Sequence, residues 1–164
     1  MSVWKRLMVI CLVSLPCIGC DQVTKQAALW ILPETGTLSF LGDAVRVQLV
    51  YNPGGFLSLG ASLTEPWRLG FFLIGVGGLL LAILVFALSS RSVRLTELLA
   101  VSLFFAGGTG NLLDRVLYDG SVVDFVRISA GSLHTGFFNF ADVAITTGAL
   151  VWMAGMLLNR GREC

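Results

Sequence analysis

The sequence predicts an all-α membrane protein, four transmembrane helices with a small extracytoplasmic β element. Three observations carry that prediction. Charged residues make up only 13% of the 164 positions against 55% hydrophobic, and the mean hydropathy is +0.84; an ordinary soluble domain is about one-quarter charged. Four apolar runs approach the ~20 residues that a helix needs to cross a ~30 Å hydrocarbon core. Between the first two runs lies a stretch alternating at the period of a strand. At this length one integral membrane domain over residues 1–164 is expected. A net charge of +1 gives no case for a nucleic-acid partner. The partner implied is lipid.

The runs place spans at about residues 7–32, 69–88, 98–113 and 138–158, with external segments at about 33–68 and 114–137. The second span carries no charge, and the fourth is broken only by Asp142. Lys5, Arg6, Arg91, Arg94, Arg160 and Arg162 fall on one side, and Arg46, Arg68, Arg115 and Arg127 on the other. That bias puts both termini in the cytoplasm. Asp21 then lies roughly 21 Å above Leu7, in the outer third of the core. The third span ends outward at Asn111, Asp114 and Arg115, the fourth begins at Asn139 and Asp142, and Asp124 lies in the external loop between them. The uncommon polar residues therefore converge near the outer membrane–water boundary.

From Ala44 to Tyr51, the apolar Val45, Val47, Leu49 and Tyr51 alternate with Arg46 and Gln48, the pattern of a half-buried strand. Asn52-Pro53-Gly54-Gly55 follows as a turn signal. A small sheet on the membrane surface beside the bundle mouth is expected, residues 45–57 acting as a flap.

The N-terminal run, with Lys5, Arg6 and then Cys17-Ile18-Gly19-Cys20, imitates a secretory signal ending in a lipoprotein cleavage box. Cysteine at the third position before cleavage fits such a box poorly, and three further spans follow, so the run is read as a span. Cys17 and Cys20 also have redox spacing. A four-helix membrane thiol oxidoreductase would need a second cysteine pair in an external loop, and neither external segment holds a cysteine. Cys11, Cys17 and Cys20 are expected as buried apolar filler; Cys164 lies at the cytoplasmic end.

A carboxylate inside a membrane costs several kcal/mol, so an acid retained there points to function. Asp21 and Lys25 are four apart on one helix face, the favourable order for an ion pair. Gly107-Gly108-Thr109-Gly110 permits close helix approach. Asn111 and Arg115 share a face, and Asp114 suits an ion pair with a neighbouring base. His134, the only histidine, is expected as a loop residue, which argues against Ser-His or metal chemistry. Asp124 and Asp142 are the candidate catalytic pair, with Asn139 placed to donate to one of them. Two carboxylates a few Å apart cannot both ionise easily; the ionised one can deprotonate water while its partner protonates the leaving amine. No cofactor or metal is expected.

Asp21-Gln-Val-Thr-Lys25, Tyr51-Asn52-Pro-Gly-Gly55, Gly107-Gly-Thr-Gly-Asn-Leu-Leu-Asp-Arg115, Val122-Val-Asp-Phe125 and Phe138-Asn-Phe-Ala-Asp142 resemble, in order, the blocks of the lipoprotein signal peptidase (signal peptidase II) family. The resemblance implies an intramembrane aspartyl endopeptidase of the bacterial inner membrane. Such an enzyme removes signal peptides from diacylglyceryl-modified prolipoproteins, cutting on the amino side of the lipidated cysteine. It implies Asp124 and Asp142 as the catalytic dyad, with Asp21, Lys25, Asn52, Gly54, Asn111, Arg115 and Asn139 supporting the site or contacting substrate. One block departs: the family follows its external Asn with a small residue, Gly, a variable residue, Ala and Phe, whereas here Pro53, Gly54, Gly55, Phe56 and Leu57 follow. Two other readings remain open on the residues alone, the thiol oxidoreductase and a non-enzymatic lipid-binding membrane protein.

Overall fold

A computed structural model describes the chain except Glu34, residues 56–59, Ala61, Arg91 and residues 161–164. Expectations for Phe56, Leu57, Arg91, Arg162 and Cys164 lie outside the described residues, as does the side chain of Arg160. The elements are α1 (Val3–Ile31), β1 (Leu38–Phe40), β2 (Val45–Asn52), α2 (Glu65–Leu69), α3 (Val76–Ser89), α4 (Leu95–Leu117), β3 (Val122–Ala130), β4 (Leu133–His134) and α5 (Phe140–Arg160). A π-helical turn, Gly70–Gly75, joins α2 to α3 in one continuous rod. Among the described residues, four helices are long and apolar enough to cross a membrane: α1, the α2–α3 rod, α4 and α5.

α4 is the central helix. Half of its apolar stretch is buried, against 17% in each of the other three, and it packs on α5, α1 and α3. Its glycines make that possible. A Cβ on Gly107 would run into the carbonyl oxygen of Ala141 on α5 and approach Ile145 to 2.7 Å; one on Gly110 would meet Asp21 Oδ2 on α1. Small residues thus let three backbones close on one another. One end of the bundle has an apolar centre of Ile10, Ala87, Leu98 and Val101. There Arg6, 3% exposed, donates to the carbonyls of Ala87 and Ser90, satisfying the C-terminus of α3. The other end is polar.

α1, the α2–α3 rod and α4 are longer than their apolar runs, because polar residues that look like loop in sequence bond one another at the ends. Glu97 accepts from the Arg94 N–H at the start of α4, and α4 continues four residues past Leu113. Asp124, expected in a loop, lies within β3. His134, also expected in a loop, is exposed in β4, its Nδ1 near the Thr135 carbonyl. The cysteines also differ from expectation: Cys11 and Cys20 are exposed and Cys17 half-buried, on parts of α1 turned from the packing face. Lipid is as apolar as a core, so an outward thiol loses little.

The sheet is antiparallel in the order β1-β2-β3-β4. Leu38, Val47 and Val126 form one cross-strand row and Phe40, Val45 and Ile128 another; the row between them, Ser39, Arg46 and Arg127, points to the opposite face. The apolar face leaves Leu38, Phe40, Ile128 and Leu133 exposed. The alternation expected along β2 does not persist. Val47 pairs with Val126 but Val50 with Asp124, so β2 spends three residues where β3 spends two. This bulge inverts the phase. Tyr51, expected beside Val45 and Val47, turns to the other face, is half exposed and lies against Tyr118.

Candidate active site

The inverted phase has a chemical outcome. Past the bulge, Val50 and Asn52 share a face with Asp124, and Asn52 Nδ2 donates to Asp124 Oδ2 at 2.9 Å. The turn after β2 is built on the same side chain. Asn52 Oδ1 accepts from the Gly54 N–H at 3.0 Å and Nδ2 also reaches the Gly55 carbonyl at 3.2 Å. Pro53 removes a donor that this turn does not use, so the departure at that position is accommodated.

Asp142 stands in the first turn of α5, where Asn139 is the residue before the helix. Asn139 Oδ1 accepts from the Asp142 N–H at 3.0 Å, while Asp142 Oδ2 accepts from the Asn139 N–H at 3.2 Å. This is a reciprocal cap. The Nδ2 of Asn139 donates to Asp124 Oδ1 at 2.7 Å. One asparagine therefore touches both acids, where its spacing had suggested a hydrogen bond to one. The remaining oxygen of Asp142 accepts from Asn111 Nδ2 at 3.0 Å. Asp124 and Asp142 wall a single cavity of about 400 Å³ with Asn52, Gly54, Asn111 and Arg115. Burial pushes the Asp124 carboxyl up to about 7; the Asn52 hydrogen bond opposes the rise, and the nearby Asp142 charge adds to it.

Behind the cavity lies a buried charge network. Lys25 Nζ sits 2.8 Å from Asp21 Oδ2 and 2.9 Å from Asp114 Oδ2, with all three side chains at most 1% exposed. Its third donor goes to Asn111 Oδ1 at 3.0 Å. The i,i+4 pair expected at the interface is thus fully enclosed, and the base expected beside Asp114 is Lys25. Each acid also holds a backbone: Asp21 Oδ1 accepts from the Ala141 N–H of α5, and Asp114 Oδ2 from the Val123 N–H of β3. The network fixes the two elements that carry Asp124 and Asp142.

Arg115 is 7% exposed. It donates to the Gly54 carbonyl at 2.6 Å and to the Asn111 carbonyl at 3.0 Å, with its guanidinium 4.5 Å over the Phe72 ring. Arg115 thus anchors a carbonyl of the flap turn. Two participants carried no sequence signal. Gln22 reaches both Asp21 and Asp114, and Phe72 is presented by the π turn. Their contacts join distant elements, and no local spacing encodes them. Cys17, Cys20 and His134 contribute nothing to the cavity wall.

Comparison with known proteins agrees with this geometry. The chain matches the family described as signal peptidase (SPase) II, Peptidase_A8, over residues 13–158. The chain belongs to the signal peptidase II family. Within that family it is 33% identical over 158 residues to a lipoprotein signal peptidase of Desulforapulum autotrophicum, covering 95% of this chain and 96% of the relative. A Janthinobacterium relative of the same name is 33% identical over 87% of this chain and 84% of its own. A solved bacterial membrane enzyme superposes with a TM-score of 0.81 at 26% identity, over 94% of this chain and 91% of that one. As a signal peptidase II family member the chain is an aspartic peptidase and a multi-pass bacterial membrane protein.

Proposed function

We propose that Asp124 and Asp142 are the catalytic dyad of a lipoprotein signal peptidase acting on diacylglyceryl-modified prolipoproteins, with cleavage on the amino side of the lipidated cysteine. One observation carries the assignment: the two acids wall one cavity and are joined through a single residue, Asn139. The carboxylate that is ionised takes a proton from water as the water oxygen attacks the scissile carbonyl carbon. The protonated partner gives its proton to the leaving nitrogen as the tetrahedral oxyanion collapses and the C–N bond breaks, so the dyad keeps one proton, the one taken from water. Titration belongs to the pair. The raised Asp124 carboxyl supports a dyad that carries one proton near neutral pH.

Asp21, Lys25, Asn111 and Asn139 position the acids, while Asn52, Gly54 and Arg115 form the flap and its anchor. The Lys and Arg bias supports cytoplasmic termini, residence in the inner membrane and a site near its outer face. In that orientation the apolar sheet face lies toward lipid, beside the mouth of the cavity. A substrate carrying two acyl chains stays in the bilayer while its scissile bond meets the dyad. The test is cleavage of a lipid-modified preprotein by the purified chain. Asp124→Asn and Asp142→Asn should each lose activity by about 10²–10⁴-fold, and the double variant should be scarcely worse because the two act as a unit. Robust turnover by inserted Asp142→Asn would overturn the assignment.

A further inference from the structure

α5 has a second hollow beside the dyad. A groove of about 280 Å³ runs along the adjoining flank, walled by Phe137, Phe138, Val143 and Thr147, and it shares Asp142 and Thr146 with the first cavity. Helical spacing explains the arrangement. Asp142, Ile145, Thr146 and Ala149 follow the i, i+3, i+4, i+7 stripe that faces the first cavity, while Val143, Thr146 and Thr147 form the neighbouring stripe. Asp142 and Thr146 are the divide between two troughs.

The troughs differ in what they can bind. The first offers Asn52, Asn111, Arg115 and glycine backbone to an occupant with amides to satisfy. The second offers fewer: apart from Asp142, its polar groups are threonines and the backbone of Gly136 and Phe137. The Phe138 N–H is bonded to the Val126 carbonyl and its own carbonyl accepts from Phe125 and Val126, while the Thr135 N–H is bonded to the Ile128 carbonyl. A polypeptide there would leave amides without partners, at a cost of several kcal/mol each in a water-poor site. A hydrocarbon chain would lose nothing. Val143, Thr146 and Thr147 are also exposed on the outside of α5, so the groove opens sideways to the bilayer.

We propose that this groove receives one acyl chain of the substrate's diacylglyceryl group, while the signal peptide occupies the first cavity. The inference rests on the proposed dyad chemistry, which puts the scissile bond at Asp142. The two apolar parts of the substrate diverge from that bond, the peptide on its amino side and the thioether-linked lipid on its carboxyl side. Two troughs parting at one catalytic acid match two chains parting at one bond.

The experiment uses the purified enzyme in bilayers, with preproteins carrying diacylglyceryl groups of increasing chain length. Val143→Trp and Thr147→Trp fill the groove from its lipid side. Their KM should rise with acyl length, by about tenfold for the longest chains, with kcat falling far less, the pattern of lost ground-state binding. A diazirine at the end of the acyl chain, used with the wild-type enzyme, should label Val143, Thr147 or Phe137. Labelling at Ile145 or Ala149 would overturn the assignment, as would a KM effect independent of chain length. Failure of the wild type to cleave any lipid-modified preprotein would instead remove the proposed function, and this inference with it.

Discussion

Asn52 carries the most testable chemistry of any single side chain outside the dyad. Its donation to Asp124 favours the ionised carboxylate, so its removal lets burial push that group further above about 7. Asn52→Ala should therefore turn over more slowly, with the alkaline limb of its pH–rate profile moved to higher pH. A wild-type rate and profile would reduce the flap to a connector. The same shift has a stability sign. Asp124 holds its proton to a higher pH when folded than the ordinary 3.8, so its contribution is present below that value and lost as pH rises toward about 7. Lys25 acts differently, as the cation between two buried acids. Lys25→Met strands both carboxylates and should cost about 3–5 kcal/mol, read as a lowered unfolding midpoint. Asp124, Asp142 and Asn139 were legible in the sequence because polar groups are conspicuous in so apolar a chain. Gln22 was not, since its contacts to Gly110 and Asp114 exist only once α1 has docked on α4.

At the scale of elements, the bulge in β2 joins the sheet to the chemistry. It turns the face of Val45 and Val47 into that of Val50 and Asn52. Inserting an alanine between Val50 and Tyr51 should shift Asn52 by one place and send it to the face of Arg46. The variant should reach the membrane yet lose at least about tenfold in rate, a loss comparable to that from misplacing a catalytic contact. Unchanged turnover in it would show that the loop reaches Asp124 without help from strand phase. Strand existence was legible from alternation, and the turn from Asn52-Pro53-Gly54-Gly55. The bulge was not, because neither Gln48 nor Leu49 is a residue that marks one. Helix ends were short in the reading for a related reason. Caps such as Arg94 with Glu97 are polar pairs, and hydropathy counts polar residues as outside the helix.

For the molecule as a whole, the open question of orientation follows from charge. Reporter fusions after Arg94 and after Gly120 should report opposite sides of the membrane, with Arg94 cytoplasmic. Cytoplasmic signals from both would remove the convergence of polar residues at one boundary. The four-span architecture was legible because each apolar run exceeds what a soluble core of this size needs. The centrality of α4 was visible only in Gly107-Gly108-Thr109-Gly110, whose tolerance for close approach is now tied to Ala141, Leu80 and Asp21. Asn111, Asn139 and Asp142 wall the cavity or touch its acids, and they also fasten α4, β3 and α5 to one another. That shared duty sets the terms on which resistance to an inhibitor could arise. A compound gripping those polar atoms leaves no cheap substitution by which the protein escapes it, since loosening the drug loosens the joint. Escape is then confined to the apolar wall at Val76, Ile145 and Ala149, where a side chain can change size without breaking a hydrogen bond.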